Sequence, residues 1–154
     1  MIKVNEGQMV AKGKRFALIA SRFNDFVTKA LVEGCTDTLL RHGAKDADIA
    51  VTWVPGCFEV PLVALQAARS KKFDAVVCLG AVIRGDTPHF DFIASETAKG
   101  IAHVGMQTGV PAIFGIITAD TLEQAMERAG SKAGNKGRDA ALHAIEMANL
   151  ADII

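Results

Sequence analysis

Three short stretches of this chain gather side chains that can do chemistry. They are Arg22-Phe23-Asn24, Pro55-Gly56-Cys57-Phe58-Glu59 and Arg84-Gly85-Asp86-Thr87-Pro88-His89, and a further aromatic, Phe114, stands in a later apolar run. Aromatics at several strand ends make a stacking slot for a flat heterocycle, and a neighbouring carboxylate such as Glu59 can accept hydrogen bonds from its polar substituents. Gly85-Asp86-Thr87 precedes a helical pattern, where free backbone N–H groups and the helix dipole favour a phosphate. His89, in the first turn of that helix, has the near-neutral ordinary pKa that suits proton transfer beside such a group.

Taken singly, each residue has an ordinary structural role. Phe23, Phe58 or Phe114 alone reads as a core aromatic, Glu59 as a carboxylate favouring a helix N-terminus, and His89 as a helix-start histidine. His42 suits a helix C-terminus, and His103 and His143 fall inside helical patterns. Their coincidence at strand ends is what points to a site. Among later cations, Arg128 and Lys136 are candidates for holding an anion, whereas Lys132 reads as part of a solvated face with Glu123 and Glu127. The run Gly130-Ser-Lys-Ala-Gly-Asn-Lys-Gly137 lacks the GxxxxGK[ST] spacing and does not follow a strand, so it is not a P-loop. No GxGxxG, HExxH or clustered His/Cys pattern occurs either, and neither a dinucleotide nor a metal is indicated.

The elements that must position these residues alternate in type. Residues 15–21 form a short apolar run bounded by polar residues, as a parallel strand buried on both faces does. From Asn24 the period becomes helical, through Phe26, Val27, Ala30, Leu31, Gly34, Cys35, Thr38 and Leu39, and Arg41-His42-Gly43 supplies a basic end with a glycine suited to a left-handed cap. Residues 49–54 read as the next strand, stopped by Pro55-Gly56. Residues 60–69 are a helix apolar nearly all round, and hence deeply packed, with Pro61 tolerable only in its first turn. Residues 75–83 are a strand, and 89–108 a helix with Ile93, Thr97, Gly100, Ile101 and Val104 on one face. Residues 111–118 are the fourth core strand. Asp120 with Glu123 suggests a capping box for a short helix to Arg128, and a final helix runs from about Arg138 to Leu150. Such alternation implies a three-layer α/β fold, a parallel sheet of four core strands with helices on both faces. Ligands in these sheets sit at the carboxyl ends of the strands, so Phe23, Phe58, Glu59, His89 and Phe114 are all expected on one rim.

Bulk properties agree with a single domain over residues 1–154, long enough to bury a core. Seventeen Lys and Arg balance seventeen Asp and Glu, without the basic excess of a general nucleic-acid binder. Any anion site must therefore be local. The apolar runs are too short to span a bilayer, no secretory leader is evident at the start, and Cys35, Cys57 and Cys78 form no paired framework. A reduced, cytoplasmic protein is the expectation.

The same residues resemble the lumazine synthase (6,7-dimethyl-8-ribityllumazine synthase) family. The matching motifs are Arg22-Phe23-Asn24; Pro55-Gly56-x-Phe58-Glu59-x-Pro61; Gly80-x-Val82-Ile83-Arg84-Gly85-x-Thr87-x-His89-Phe90-Asp91; Phe114-Gly115; and Glu123-Gln124-Ala125-x-Glu127-Arg128-Ala129-Gly130 running into Lys132-Ala133-Gly134-Asn135-Lys136-Gly137. They extend in order from near residue 15 to near residue 150.

The resemblance implies a flavodoxin-like fold, no cofactor, and condensation of a ribitylaminopyrimidine with a ketone phosphate in riboflavin biosynthesis. It implies that Phe23 and Phe58 line the pyrimidine slot, with Asn24 beside them, and that Cys57, Glu59 and the Ala81-Val82-Ile83 edge hold the ring and ribityl chain. Backbone at Asp86 and Thr87 would hold the phosphate and His89 would move protons. Phe114, Arg128 and Lys136 would close the site from an adjacent subunit of a homopentamer. It further implies that residues 1–10 add a strand to a neighbouring sheet, that pentamers close into sixty-subunit icosahedral shells, and that a riboflavin synthase is a partner.

One position departs from the family pattern. Asp86 stands where a small residue is usual, and its carboxylate is expected to repel the phosphate and weaken its binding unless the side chain turns away to cap the following helix. Two other classes compete with the enzyme: a shell-forming protein without turnover, which intact His89 and Arg128 argue against, and a generic flavodoxin-like binding domain, which leaves the combined motifs unexplained.

Overall fold

The computed structural model describes residues 1–132 and 134–154. Ala133, in the 130–137 connection, lies outside the described residues. Strand and helix alternate as β1 (Phe16–Ser21), α1 (Asp25–Arg41), β2 (Ile49–Val54), α2 (Val60–Arg69), β3 (Ala75–Ile83), α3 (His89–Thr108), β4 (Ala112–Ala119), α4 (Leu122–Arg128) and α5 (Lys136–Leu150). The four strands form one parallel sheet in the order β2-β1-β3-β4. No helix among the described residues is long and apolar enough to cross a membrane.

Alternation along each strand sends side chains to two cores. Phe16 and Leu18 of β1 and Val77 and Leu79 of β3 meet Leu31, Cys35, Ala141 and Ile145 of α1 and α5. Ala17 and Ile19, with Val76 and Cys78, meet Val60, Ala64, Ile101 and Val104 of α2 and α3. The two central strands are buried along their length, as sheets covered on both faces require.

Glycines set the helix approaches. A Cβ on Gly137 of α5 would overlap the backbone of Leu31, and one on Gly100 of α3 would lie 2.6 Å from Pro61 of α2. Both helix pairs therefore pack closer than any other residue type permits at those points.

Three local expectations are corrected. α2 is not deeply packed in this chain: Val60, Ala64 and Ala68 are buried, but Leu62 is 61% exposed. The cap of α4 is Thr121, whose side chain accepts from the Gln124 N–H, while Gln124 reaches back to the Asp120 N–H at 2.8 Å. The box is thus Thr121 with Gln124 rather than Asp120 with Glu123, which leaves the Asp120 carboxylate free to meet Arg84. Finally, α5 begins at Lys136, two residues before the expected Arg138. Asn135 starts it by accepting from the N–H groups of Gly137 and Arg138, a capping role in which asparagine is strongly favoured.

Candidate active site

The floor of the site lies where β1, β3 and the loop after β2 converge. Ser21 is wholly buried at the end of β1, and the Cys57 thiol donates to its hydroxyl at 3.5 Å. Opposite them is Gly80, where a Cβ would overlap Ser21 Oγ and lie 2.8 Å from Cys57 Sγ. Only glycine lets the three segments meet. Burial pushes the Cys57 thiol above its ordinary pKa, opposed by the hydrogen bonds to Ser21 and the Ala81 carbonyl. It is a neutral packing and hydrogen-bonding group rather than a nucleophile.

Asn24, just before α1, stands in the left-handed region at φ 62°, which asparagine tolerates better than most residues. Its side chain does not cap α1. It donates across the sheet to the Ala81 carbonyl at 3.1 Å, while its own carbonyl accepts from Val27. Before this kink, the N–H groups of Arg22 and Phe23 extend the ladder to the carbonyls of Val54 and Pro55, and Phe23 is left 72% exposed.

The loop after β2 closes a 3-10 turn over Cys57–Glu59. The buried Thr97 hydroxyl of α3 holds it from below by donating to the Cys57 carbonyl at 3.2 Å. The turn leaves Phe58 60% exposed and Glu59 half-buried. Across the opening stands His89, the first residue of α3. His89, Ile93 and Thr97 recur every four residues and so share the stripe of α3 that faces the site.

Two contiguous clefts result. One of about 300 Å³ runs between Phe23, the 55–59 loop and His89, and one of about 70 Å³ continues along Asn24 and the Ala81-Val82-Ile83 edge to Phe90. A larger hollow of about 410 Å³ near the opposite end of β4 is lined by apolar groups such as Met106, Ile113 and Met147. It carries no titratable side chain, whereas the smaller pair is lined by Cys57, Glu59 and His89.

Beyond the Ile83 edge comes the Gly85-Asp86-Thr87 turn. Its backbone N–H groups have no acceptor among the described residues, as an anion cradle requires. Thr87, not Asp86, serves the helix start, its hydroxyl accepting from the His89 N–H at 3.4 Å. Asp86 is exposed and makes no cap, so the cap that would turn its carboxylate away is not formed.

Arg84 lies just before the turn. Its Nε donates to Asp120 at 2.9 Å, its Nη1 to Asp91 at 3.5 Å, and its guanidinium sits 4.4 Å above the Phe90 ring. The bond to Asp120 raises the Arg84 pKa further above its ordinary value.

The expectation of one rim fails for Phe114. It pairs in register with Cys78, whereas the rim residue Ala81 pairs with Ile117, so Phe114 sits three positions back along β4. It is 41% exposed on an edge strand, away from both clefts. Arg128 folds back on its own helix, donating to the Gln124 carbonyl at 3.1 Å, and Lys136 is exposed at the start of α5. Neither lines the clefts.

The chain thus assembles Phe23, Asn24, Cys57, Phe58, Glu59, Ala81, Val82, Ile83 and His89 by itself, with Asp86 and Thr87 next along the edge. Ser21, Gly80 and Thr97 were not foreseen as parts of the floor. Thr97 carried a signal, as the polar member of an otherwise apolar helix face. The arrangement can stack a flat ring, accept its hydrogen bonds at Glu59, and move a proton at His89. The 6,7-dimethyl-8-ribityllumazine synthase family matches residues 13–152 of the 154-residue chain, and the protein belongs to that family of riboflavin-biosynthetic enzymes.

Proposed function

We propose that the protein condenses 5-amino-6-(D-ribitylamino)uracil with 3,4-dihydroxy-2-butanone 4-phosphate to 6,7-dimethyl-8-ribityllumazine. The observation that carries this is the cleft itself, with Phe23, Phe58 and Glu59 on one side of His89 and the free N–H groups of the 85–87 turn beyond it. The pyrimidine stacks between the aromatics, with Glu59 accepting from its polar edge and the Ala81-Val82-Ile83 backbone beside the ribityl chain. Asn24 and Cys57 fix the floor. Backbone at Asp86 and Thr87 holds the phosphate.

The 5-amino group attacks the ketone and water leaves as an imine forms. Inorganic phosphate is then eliminated, and the resulting enone-like species closes onto the ribitylamino nitrogen with loss of a second water. Holding both reactants side by side supplies most of the advantage, His89 moves the protons, and no cofactor is needed.

Phe114, Arg128 and Lys136 belong to this reading through assembly. Each is exposed and away from its own chain's clefts, which fits delivery to the site of an adjacent subunit in a homopentamer. Arg128 would there stabilise the departing phosphate. Residues 1–10, which include the exposed Ile2 and Val4, would add a strand to a neighbour. Closure of pentamers into a sixty-subunit shell, an enclosed riboflavin synthase partner and a cytoplasmic location complete the reading.

The test is to mix the purified protein with both substrates and follow the lumazine chromophore, which is expected to appear well above the spontaneous reaction. Product no faster than that background overturns the proposal. His89→Ala is expected to lower kcat more than it weakens binding, and Arg128→Ala to raise mainly the KM for the ketone phosphate. The reverse pattern means the two roles are exchanged.

A further inference from the structure

We propose that Arg84 is a positioning residue that holds the Gly85-Asp86-Thr87 turn and the start of α3 in the geometry that presents the turn's N–H groups and His89 to the cleft. The inference rests on reading that turn as the seat of the substrate's phosphate. The turn itself is poorly tethered. A Cβ added at Gly85 would meet nothing within 4 Å, and no acceptor among the described residues engages the N–H groups of residues 85–87.

Arg84 spans this gap from both ends. Its backbone N–H still belongs to the sheet, donating to the Ala119 carbonyl at 2.9 Å. Its side chain reaches past the turn to α3, at Phe90 and Asp91, and sideways to Asp120 at the β4–α4 corner. Asp120 is in turn fixed through its N–H by Gln124. The segment from 84 to 91 is therefore closed on itself and anchored to a second loop.

A planar guanidinium can make two directed bonds to separate carboxylates while stacking on a ring, whereas an ammonium acts as a point charge. Single exposed ion pairs add little to stability, so the consequence of this clamp is geometric. Two carboxylates already face the one cation, so Arg84 is not itself the phosphate's ligand.

The test begins with the wild-type protein turning over both substrates; failure there removes the reading of the site, and this inference with it. With turnover established, Arg84→Ala is expected to raise the KM for the ketone phosphate about tenfold and lower kcat a few-fold, leaving the KM for the pyrimidine within about twofold. Arg84→Lys should recover less than half of the logarithmic loss. Asp120→Asn should reproduce part of it, and Asp120→Asn added to Arg84→Ala should add almost nothing, because both act through one contact.

Three results overturn the proposal: no change in KM for Arg84→Ala, a parallel rise for both substrates, or tighter binding of inorganic phosphate to Asp120→Asn, which would make Arg84 a direct ligand. If Arg84→Ala does not fold, Arg84→Lys and Asp120→Asn decide the matter by the same criteria.

Discussion

The two helical layers of this molecule solve the same packing problem to different degrees. On one face, α1 and α5 lock to each other within the chain, with Phe26, Leu40 and Met147 left exposed at 66%, 40% and 42%. Gly137 admits the Leu31 backbone, and Asn135 donates to the carbonyls of Ala30 and Ala129 while capping α5. One side chain there joins α1, the end of α4 and the start of α5. On the other face, α2 and α3 are brought together by Gly100 against Pro61 but leave Leu62, Phe92 and Met106 exposed. The candidate cleft opens at the rim of this second layer. The interlocked layer acts as scaffold, and the layer beside the cleft keeps the more exposed apolar groups, Leu62, Phe92 and Met106, in keeping with the proposed assembly.

The sharpest way to break this contrast compares two leucines. Leu31→Ala, in the closed layer, removes a wholly buried side chain and is expected to cost about 3 kcal/mol, read from the urea midpoint. Leu62→Glu should leave the circular dichroism unchanged and instead lower the sedimenting mass. If Leu62→Glu unfolds the chain and Leu31→Ala is silent, the two layers have been misread.

Alkaline pH probes both cores at once. Burial pushes the thiols of Cys35, in the α1/α5 core, and Cys78, in the α2/α3 core, from 9.0 to about 12. A pKa raised on folding gives stability that is complete below the unfolded value and is lost as pH rises through the folded one. The window is therefore pH 9 to about 12. Within it each thiol should weaken folding by on the order of 1 kcal/mol per pH unit. Cys35→Ala and Cys78→Ala should each flatten that slope in urea titrations; an unchanged slope in either variant would show that thiol to be solvated.

The remaining tests address the open layer's rim. Phe58→Ala should lower kcat/KM about tenfold with little change in melting temperature, because its ring is more exposed than packed. A stability loss as large as that of Leu31→Ala would make it a core residue instead. The smallest effect belongs to Asp86, whose exposed carboxylate stands beside the proposed phosphate. Asp86→Ala should tighten ketone-phosphate binding by roughly threefold, the size of a screened repulsion near a surface. A titration showing no gain would remove any influence of that charge.

Much of this was legible in the residues. The bounds of β2, α2, β3 and α3 match the periodicity, because their ends are written locally, in Pro55-Gly56, in Pro61, and in the turn before His89. That Phe23, Phe58, Glu59 and His89 line one cleft was legible because parallel sheets place strand ends on one rim. The place of Phe114 on that rim was misjudged for the same reason. Its run is apolar throughout, and nothing local says how far along the strand the rim lies. The capping box was misassigned because Thr121 and Gln124 fit the same pattern one step along, and only the backbone conformation chooses between them.

The sequence by itself determined the order and type of the elements, the parallel sheet they make, and the chemical character of the residues at its strand ends. These depend on short-range periodicity and turn chemistry, which each segment carries alone. The tertiary structure decided what supports that chemistry: Gly80 between Ser21 and Cys57, Asn24 on the Ala81 carbonyl, Thr97 beneath Cys57, and Arg84 across to Asp120. Each joins residues 23 to 59 positions apart by a contact only ångströms long. Strand register and helix approach set those distances, and both are fixed by packing of the whole chain rather than by any one segment.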